Sequence, residues 1–193
     1  MIEGVKLCLV AACLLLSYTL QGQFKYESEK TVSIEEVPER ARHFLKDWAF
    51  AKSIKWYREE RINGFSYEAK VRVEKRDYSI EFDSTGIIED IEISIRHSDL
   101  SSDVSRQIEG VLKDLLDDFR IMKRQLQYSG SDGLLTQFLE TGLADSSLTL
   151  RYEFVVKGRR DRRYRLYEFL FDSNGNMLKE SVVLLDNIDN LEF

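Results

Sequence analysis

Tyr78-Ser79-Ile80-Glu81-Phe82-Asp83-Ser84-Thr85-Gly86 alternates apolar and polar residues, breaks at Asp-Ser-Thr-Gly, and resumes as Ile91, Ile93 and Ile95. Alternation with period two is a strand with one buried face. An aspartate and a glycine at the break suit a tight turn, since Asp caps the turn backbone and Gly accepts positive φ. The stretch is a β-hairpin. Tyr167-Glu168-Phe169-Leu170-Phe171-Asp172-Ser173-Asn174-Gly175 repeats it, with Val182 and Leu184 where Ile93 and Ile95 stood. A chain that contains this unit twice is constrained to a sheet-based, duplicated architecture.

The residues before each hairpin complete the unit. Ser33-Ile34-Glu35-Glu36 has the capping-box form and Pro38 suits a first helical turn. Val37, Ala41, Phe44, Leu45 and Trp48 then fall on one helical face. A short strand over residues 53–60 follows, then the turn dipeptide Asn63-Gly64 and the alternating run Phe65, Tyr67, Ala69, Val71, Val73. Residues 24–32 are polar and read as loose chain. In the second copy, Val104, Ile108, Val111, Leu112, Leu115 and Phe119 share a helical face, with Ser102 or Asp103 as N-cap. A strand over residues 121–128 and the alternating set Leu148, Leu150, Tyr152, Phe154, Val156 come next. The fold class expected is α+β: two α-β-β-β-β repeats, residues 33–98 and 99–186, forming antiparallel sheets, side by side or nearly continuous, with helices on one face. The second repeat carries an insert at residues 129–147. Within it, Leu134, Leu135, Phe138 and Leu139 predict a short helix from about Gly133 to Gly142.

Alternation also sorts the opposite faces. The first unit presents Lys70, Arg72, Ser79, Glu81 and Ser94 there, a set that can stay wet. The second presents Val155, Leu166, Leu170 and Val183, too apolar to be left open. The insert helix is expected to fold over that apolar face, or both surfaces to bind a partner's hydrophobic segment.

Lys6 precedes an apolar run, residues 7–16, too short to span a bilayer and right for a signal-peptide core. Gly22 suits the cleavage position, so residues 1–22 are expected to be a signal peptide and the mature chain to begin near Gln23 or Phe24, exported to the periplasm or secreted. Lipoprotein anchoring at Cys13 is the less favoured alternative, because the apolar run continues past that residue. Both cysteines, Cys8 and Cys13, lie inside this segment, which leaves the mature chain without a disulfide, thiol nucleophile or cysteine metal ligand. A composition of 43% apolar and 32% charged residues is that of a folded chain, and a net charge of −6 argues against nucleic acid as the main partner.

The order Val37-Pro38…Phe44…Trp48, then Tyr67, then Glu81-Phe82-Asp83-x-x-Gly86 resembles the PepSY-like family, also described as β-lactamase-inhibitor-like. The resemblance is good over residues 33–95 and weaker over residues 100–185, where Ser105 replaces the proline. It implies a bacterial exported protein, often with tandem repeats, in which helical segments pack on one face of an antiparallel sheet. It implies no enzymatic activity and supplies no catalytic residues.

Residues with chemical potential are sparse. His43 and His97 are the only histidines, and no acid or cysteine stands at ligand spacing with both, so no metal or other cofactor is expected. No Gly-x-Ser-x-Gly occurs. Asp172-Ser173-Asn174-Gly175-Asn176 resembles the start of a calcium loop but has Val183 where the bidentate glutamate belongs, so it reads as a turn. The sharpest cluster is basic: Lys157, Arg159, Arg160, Arg162, Arg163 and Arg165, either a solvated hairpin tip or a docking site for an unknown protein or anionic ligand. The functional expectation is an exported, non-catalytic binding module acting through the open sheet face or the basic tip. The alternative is a cell-envelope enzyme, or a peptidase-regulating inhibitor domain, with an unrecognised site.

Overall fold

The computed structural model describes residues 23–48, 53–61 and 63–185. The expected signal segment, residues 1–22, lies outside the described residues. Nine strands and three α-helices are present among those described: β1 (Gln23–Thr31), α1 (Glu39–Leu45), β2 (Lys55–Arg61), β3 (Gly64–Val73), β4 (Arg76–Asp83), β5 (Ile88–Ser94), α2 (Ser102–Leu115), β6 (Asp118–Ser129), α3 (Asp132–Thr141), β7 (Thr149–Arg160), β8 (Arg163–Asp172) and β9 (Met177–Leu185). The α+β class and the antiparallel pairing agree with the sequence.

The strands form one continuous sheet across the two expected repeats, with β5 bonded to β6 (Glu92 opposite Gln127). Two features of the sheet differ from expectation. The sheet closes into a barrel. Residues 24–32, read as loose, are mostly β1, which runs antiparallel to β2 and parallel to β9. The reason it was missed is its composition: Lys, Glu and Ser alternate there without an apolar face long enough to register as a strand.

The helices sit outside the barrel, and the two main apolar clusters of the sheet face them. Val37, Ala41 and Leu45 pack with Trp56, Ala69, Ile80, Phe82 and Ile91. Ile108, Leu112 and Leu116 pack with Phe154, Val156, Tyr167, Phe169 and Phe171. Phe82 and Phe171 are both fully buried. The capping box at Ser33 opens a single 3-10 turn, Ile34–Glu36, and α1 starts afresh after Pro38. The N-cap of α2 is Ser101, whose hydroxyl accepts from the Val104 N–H at 3.3 Å, one residue earlier than expected.

The two Asp-Ser-x-Gly breaks are the same turn. Asp83 Oδ1 accepts from the N–H groups of Thr85 and Ile87 at 2.8 and 2.9 Å. Asp172 Oδ1 accepts from those of Asn174 and Asn176, both at 2.8 Å. Gly86 and Gly175 have φ of +86° and +83°, and each lies against the helix of its own half.

The insert helix exists as expected, ending on Gly142 with φ +70°, but it docks elsewhere. Leu135 and Phe138 join the first apolar cluster, on the helix-bearing side. The Phe138 ring lies 4.5 Å from that of Tyr128, and Trp48 Nε1 donates to Leu139 O at 3.2 Å. The expected lid over Leu170 is therefore wrong. The physical reason is closure: the face carrying Val155, Leu166, Leu170 and Val183 is turned into the barrel, where β1 pairs with β9 and leaves Val183 only 7% exposed.

Candidate functional site

Because the two large apolar clusters of the sheet face the helices, the opposite side of the strands that carry them faces the barrel interior. Its register collects polar residues that are well separated in the chain. Glu59 stands opposite Ser66, Glu68 opposite Glu81, Ser79 opposite Glu92, Glu92 opposite Gln127 and Gln125 opposite Glu153. Glu59, Ser66, Glu68, Ser79, Glu92, Gln125, Glu153, Glu168 and Ser181 are all buried. The residues expected to form a wet open face, Lys70, Ser79 and Glu81, are part of this lining.

Buried charge is costly unless it is paired, and the interior pairs much of its own. Lys70 Nζ lies 2.8 Å from Glu29 and 3.1 Å from Glu68, and stacks 4.8 Å over the Tyr57 ring. Burial works against the Lys70 ammonium, but Glu68 and Glu29 outweigh it and hold its pKa above the ordinary lysine value. Arg61 bridges Glu81 and Glu89, each at 2.8 Å, with Glu59 at 3.7 Å. The Ser79 hydroxyl donates to Glu68. Gln125 Nε2 donates to Glu92 Oε2 at 2.7 Å. One group of three stands out: carboxylate oxygens of Glu81, Asp90 and Glu92 all lie within 4.8 Å of one another. Two unit charges at that spacing repel by about 3 kcal/mol at an effective dielectric of ~20. Burial first, then Asp90, Glu92, Glu68 and Glu59, push the Glu81 carboxyl well above the usual carboxylate range.

The basic residues singled out in the sequence do not form one surface. Lys157 and Arg159 pair with Leu166 and Tyr164 on the face away from α2, while Arg160 pairs with Arg163 and Gly158 with Arg165 on the other. Arg160 is a structural tie. It donates to both oxygens of the buried Glu180 at 2.6 and 3.2 Å and to Leu115 O at 3.0 Å, and lies over the Tyr167 ring. Arg162 is in the turn, with φ +62°. Lys157, in contrast, gains companions that the sequence reading missed. Arg120 is directly opposite it across the β6–β7 pair, and Lys123 is opposite Val155 on the same face. A bulge at residues 121–123 puts Arg120 and Lys123 on one face although they are an odd number of positions apart. A period-two reading separates them, so no sequence signal was available. Arg120, Lys123 and Lys157 are all exposed, and no ion pair reaches them among the described residues.

The two histidines are not brought together. His97 borders an open hollow of about 430 Å³ beside α2, and His43 a different one of about 450 Å³ beside α1. Ser105 Oγ is 3.5 Å from His97 Nδ1 and 3.5 Å from Glu109 Oε1. Here the acid contacts the serine rather than the far nitrogen of the imidazole, and both distances exceed the reach of a positioned base, ~2.6–3.2 Å.

The class so defined is a barrel, antiparallel except at the β1–β9 seam, with helices outside, an acid-rich interior and a basic patch at the β7–β8 hairpin end of the same inward face. No family model, curated protein or solved structure matches the chain. No helix among the described residues is long and apolar enough to cross a membrane.

Proposed function

We propose that this protein is a non-catalytic binding module that docks an anionic partner at the β7–β8 hairpin end of the inward sheet face, where Arg120, Lys123, Lys157 and Arg159 are grouped. The observation that carries this reading is the Arg120–Lys157 cross-strand pair. Like charges directly opposite in an antiparallel pair destabilise a sheet, and a third cation, Lys123, stands beside them without a carboxylate partner. An anionic ligand would remove that repulsion. The reading modifies the expectation drawn from the hairpin tip: Arg160, Arg163 and Arg165 point to the other face, and Arg160 is committed to Glu180.

The test is retention on an anionic column and binding of a labelled poly-glutamate peptide at low salt. Replacing Arg120, Lys123 and Lys157 by Ser is expected to weaken binding and flatten its salt dependence, while Arg163→Ser with Arg165→Ser leaves both nearly unchanged. Equal binding by the two variants overturns the reading.

The proposal extends to origin and ancestry. Residues 1–22 act as an export signal, and cleavage after Gly22 leaves β1 intact from Gln23. The two halves are PepSY-like units that share one turn chemistry at Asp83 and Asp172 and one buried phenylalanine each. Intact-mass measurement on native material checks export. Truncating Phe82 or Phe171 to Ala checks their equivalence, with an expected loss of about 3–5 kcal/mol at each.

A further inference from the structure

We propose that the chain carries its own occupant for the basic patch: the acidic segment 186–193, which follows β9, folds back across the hairpin end of the barrel and competes there with an outside anion. This rests on the docking reading given above and adds a regulation to it. The segment reads Asp186-Asn187-Ile188-Asp189-Asn190-Leu191-Glu192-Phe193, with an acid at every third position and Ile188, Leu191 and Phe193 among them. It lies outside the described residues. Three observations carry the assignment: where β9 ends, the charge found there, and the surface in between.

β9 ends at Leu185. Val183 stands opposite Leu166, Leu166 opposite Lys157, and Lys157 opposite Arg120. The strand therefore leaves the sheet at the hairpin end, with Arg120 three strands away. At about 4.8 Å per strand that is about 14 Å. Eight extended residues span up to about 26 Å, so the segment reaches every cation of the patch.

Arg120, Lys123 and Lys157 are exposed, and no ion pair reaches them among the described residues. The segment brings three carboxylates to these three cations. The outer face of the hairpin offers no equivalent opposed pair, because Arg163 stands opposite Arg160, which Glu180 already neutralises, and Arg165 stands opposite Gly158. On the inward face, Leu166 and Tyr164 of β8 lie between β9 and the cations. Leu166 is half-buried and Tyr164 is 53% exposed. A segment crossing this strip meets apolar surface first and cations beyond it, which matches apolar residues interleaved with acids. Tethering raises its local concentration to the order of millimolar. Exposed ion pairs are individually weak, so a longer polyanion displaces the segment, and salt loosens the contact.

The experiment has two arms, both on the full chain at low salt. A carbodiimide, which joins a carboxylate to an amine lying against it, is expected to link Asp186, Asp189 or Glu192 to Lys123 or Lys157 within one chain, read by mass spectrometry of the digest. Neutralising the segment as Asp186→Asn, Asp189→Asn and Glu192→Gln is expected to tighten binding of labelled poly-glutamate by about three- to tenfold in fluorescence anisotropy. That gain should vanish when Arg120, Lys123 and Lys157 are also replaced by Ser, and persist with Arg163→Ser and Arg165→Ser. Absence of the cross-links in the parent overturns the inference, as does equal peptide affinity with and without the segment's charges. Either result with peptide binding intact leaves the docking reading standing. Cross-links without peptide binding by any variant support the segment's contact and remove the docking reading.

Discussion

Gly86 shows how one residue couples a turn to a helix. Its φ is +86°, and a Cβ there would lie 2.9 Å from both Ala41 N and Pro38 Cβ. Gly86→Ala therefore combines backbone strain with overpacking and should cost about 2–4 kcal/mol in urea unfolding. Gly64 has φ +137° with open space around it, so Gly64→Ala should cost only the strain, about 1–2 kcal/mol. Equal losses at the two sites would show that Gly86 is not pressed against α1. The paired turn aspartates give a pH prediction. Hydrogen bonds from the Asn176 side chain and backbone, helped by those from Asn174 and Gly175, hold Asp172 below the usual carboxylate range. At Asp83, burial works the other way but the bonds from Thr85, Ile87 and Gly86 outweigh it. A lowered folded-state pKa means that the folded chain binds the proton more weakly than the unfolded one. The stabilisation is complete above the unfolded value, about pH 4, and is lost as pH falls through the folded value. Asp172→Asn should flatten the acid limb of a stability-versus-pH curve and leave neutral pH nearly unchanged in slope.

At the scale of elements, two hairpins carry a mismatch between sequence and turn. Glu74 and Lys75, and likewise Asp161 and Arg162, all have positive φ, the conformation of a two-residue turn that favours Asn-Gly. Replacing Glu74-Lys75 by Asn-Gly should raise stability by about 1 kcal/mol, read as a higher urea midpoint at unchanged slope. For α3, truncation of the fully buried Leu135 to Ala should cost about 2–5 kcal/mol. A value near zero would mean that the helix is not docked on the first cluster. These elements also mark what the sequence could show. The hairpins, α2 and α3 were legible because period two, period 3.6 and the Asp–Gly breaks are local signals. The docking face of α3 was not, because it depends on which side of the sheet remains accessible after closure. The joint face of Arg120 and Lys123 was not, because a bulge shifts the strand's phase. The carboxylate cluster was half visible: Glu81 stood on the predicted polar face, but Asp90, Glu92 and Gln125 come to it from other strands through register.

For the whole molecule, β1 decides whether the polar face is an interior or a surface. It pairs with β2 from Ser28 to Thr31 and with β9 from Gln23 to Glu27, and so removes both sheet edges. It also supplies Glu29, one of the two carboxylates that neutralise Lys70. Without β1, the barrel would be an eight-stranded open sheet whose edges, β2 and β9, carry unpaired backbone groups. Such edges template pairing with other chains. The helices and both apolar clusters lie on the other side of the sheet and would keep their contacts, apart from Val32 at the end of the strand. A chain starting at Ser33 should therefore retain its helices and near-native far-ultraviolet dichroism, yet lose a few kcal/mol of stability. Glu59 on the neighbouring β2, and Glu68 and Glu168 one strand further on either side, would become solvent-accessible. Light scattering should then show concentration-dependent self-association through the freed edges, absent in the chain that begins at Gln23. Amide hydrogen exchange supplies the local readout: protection should fall along β2 and β9 and persist in β4 and β8, the strands that bear Phe82 and Phe171. A truncated chain that stays monomeric with unchanged protection in β9 would show that the parallel β1–β9 seam contributes nothing to closure.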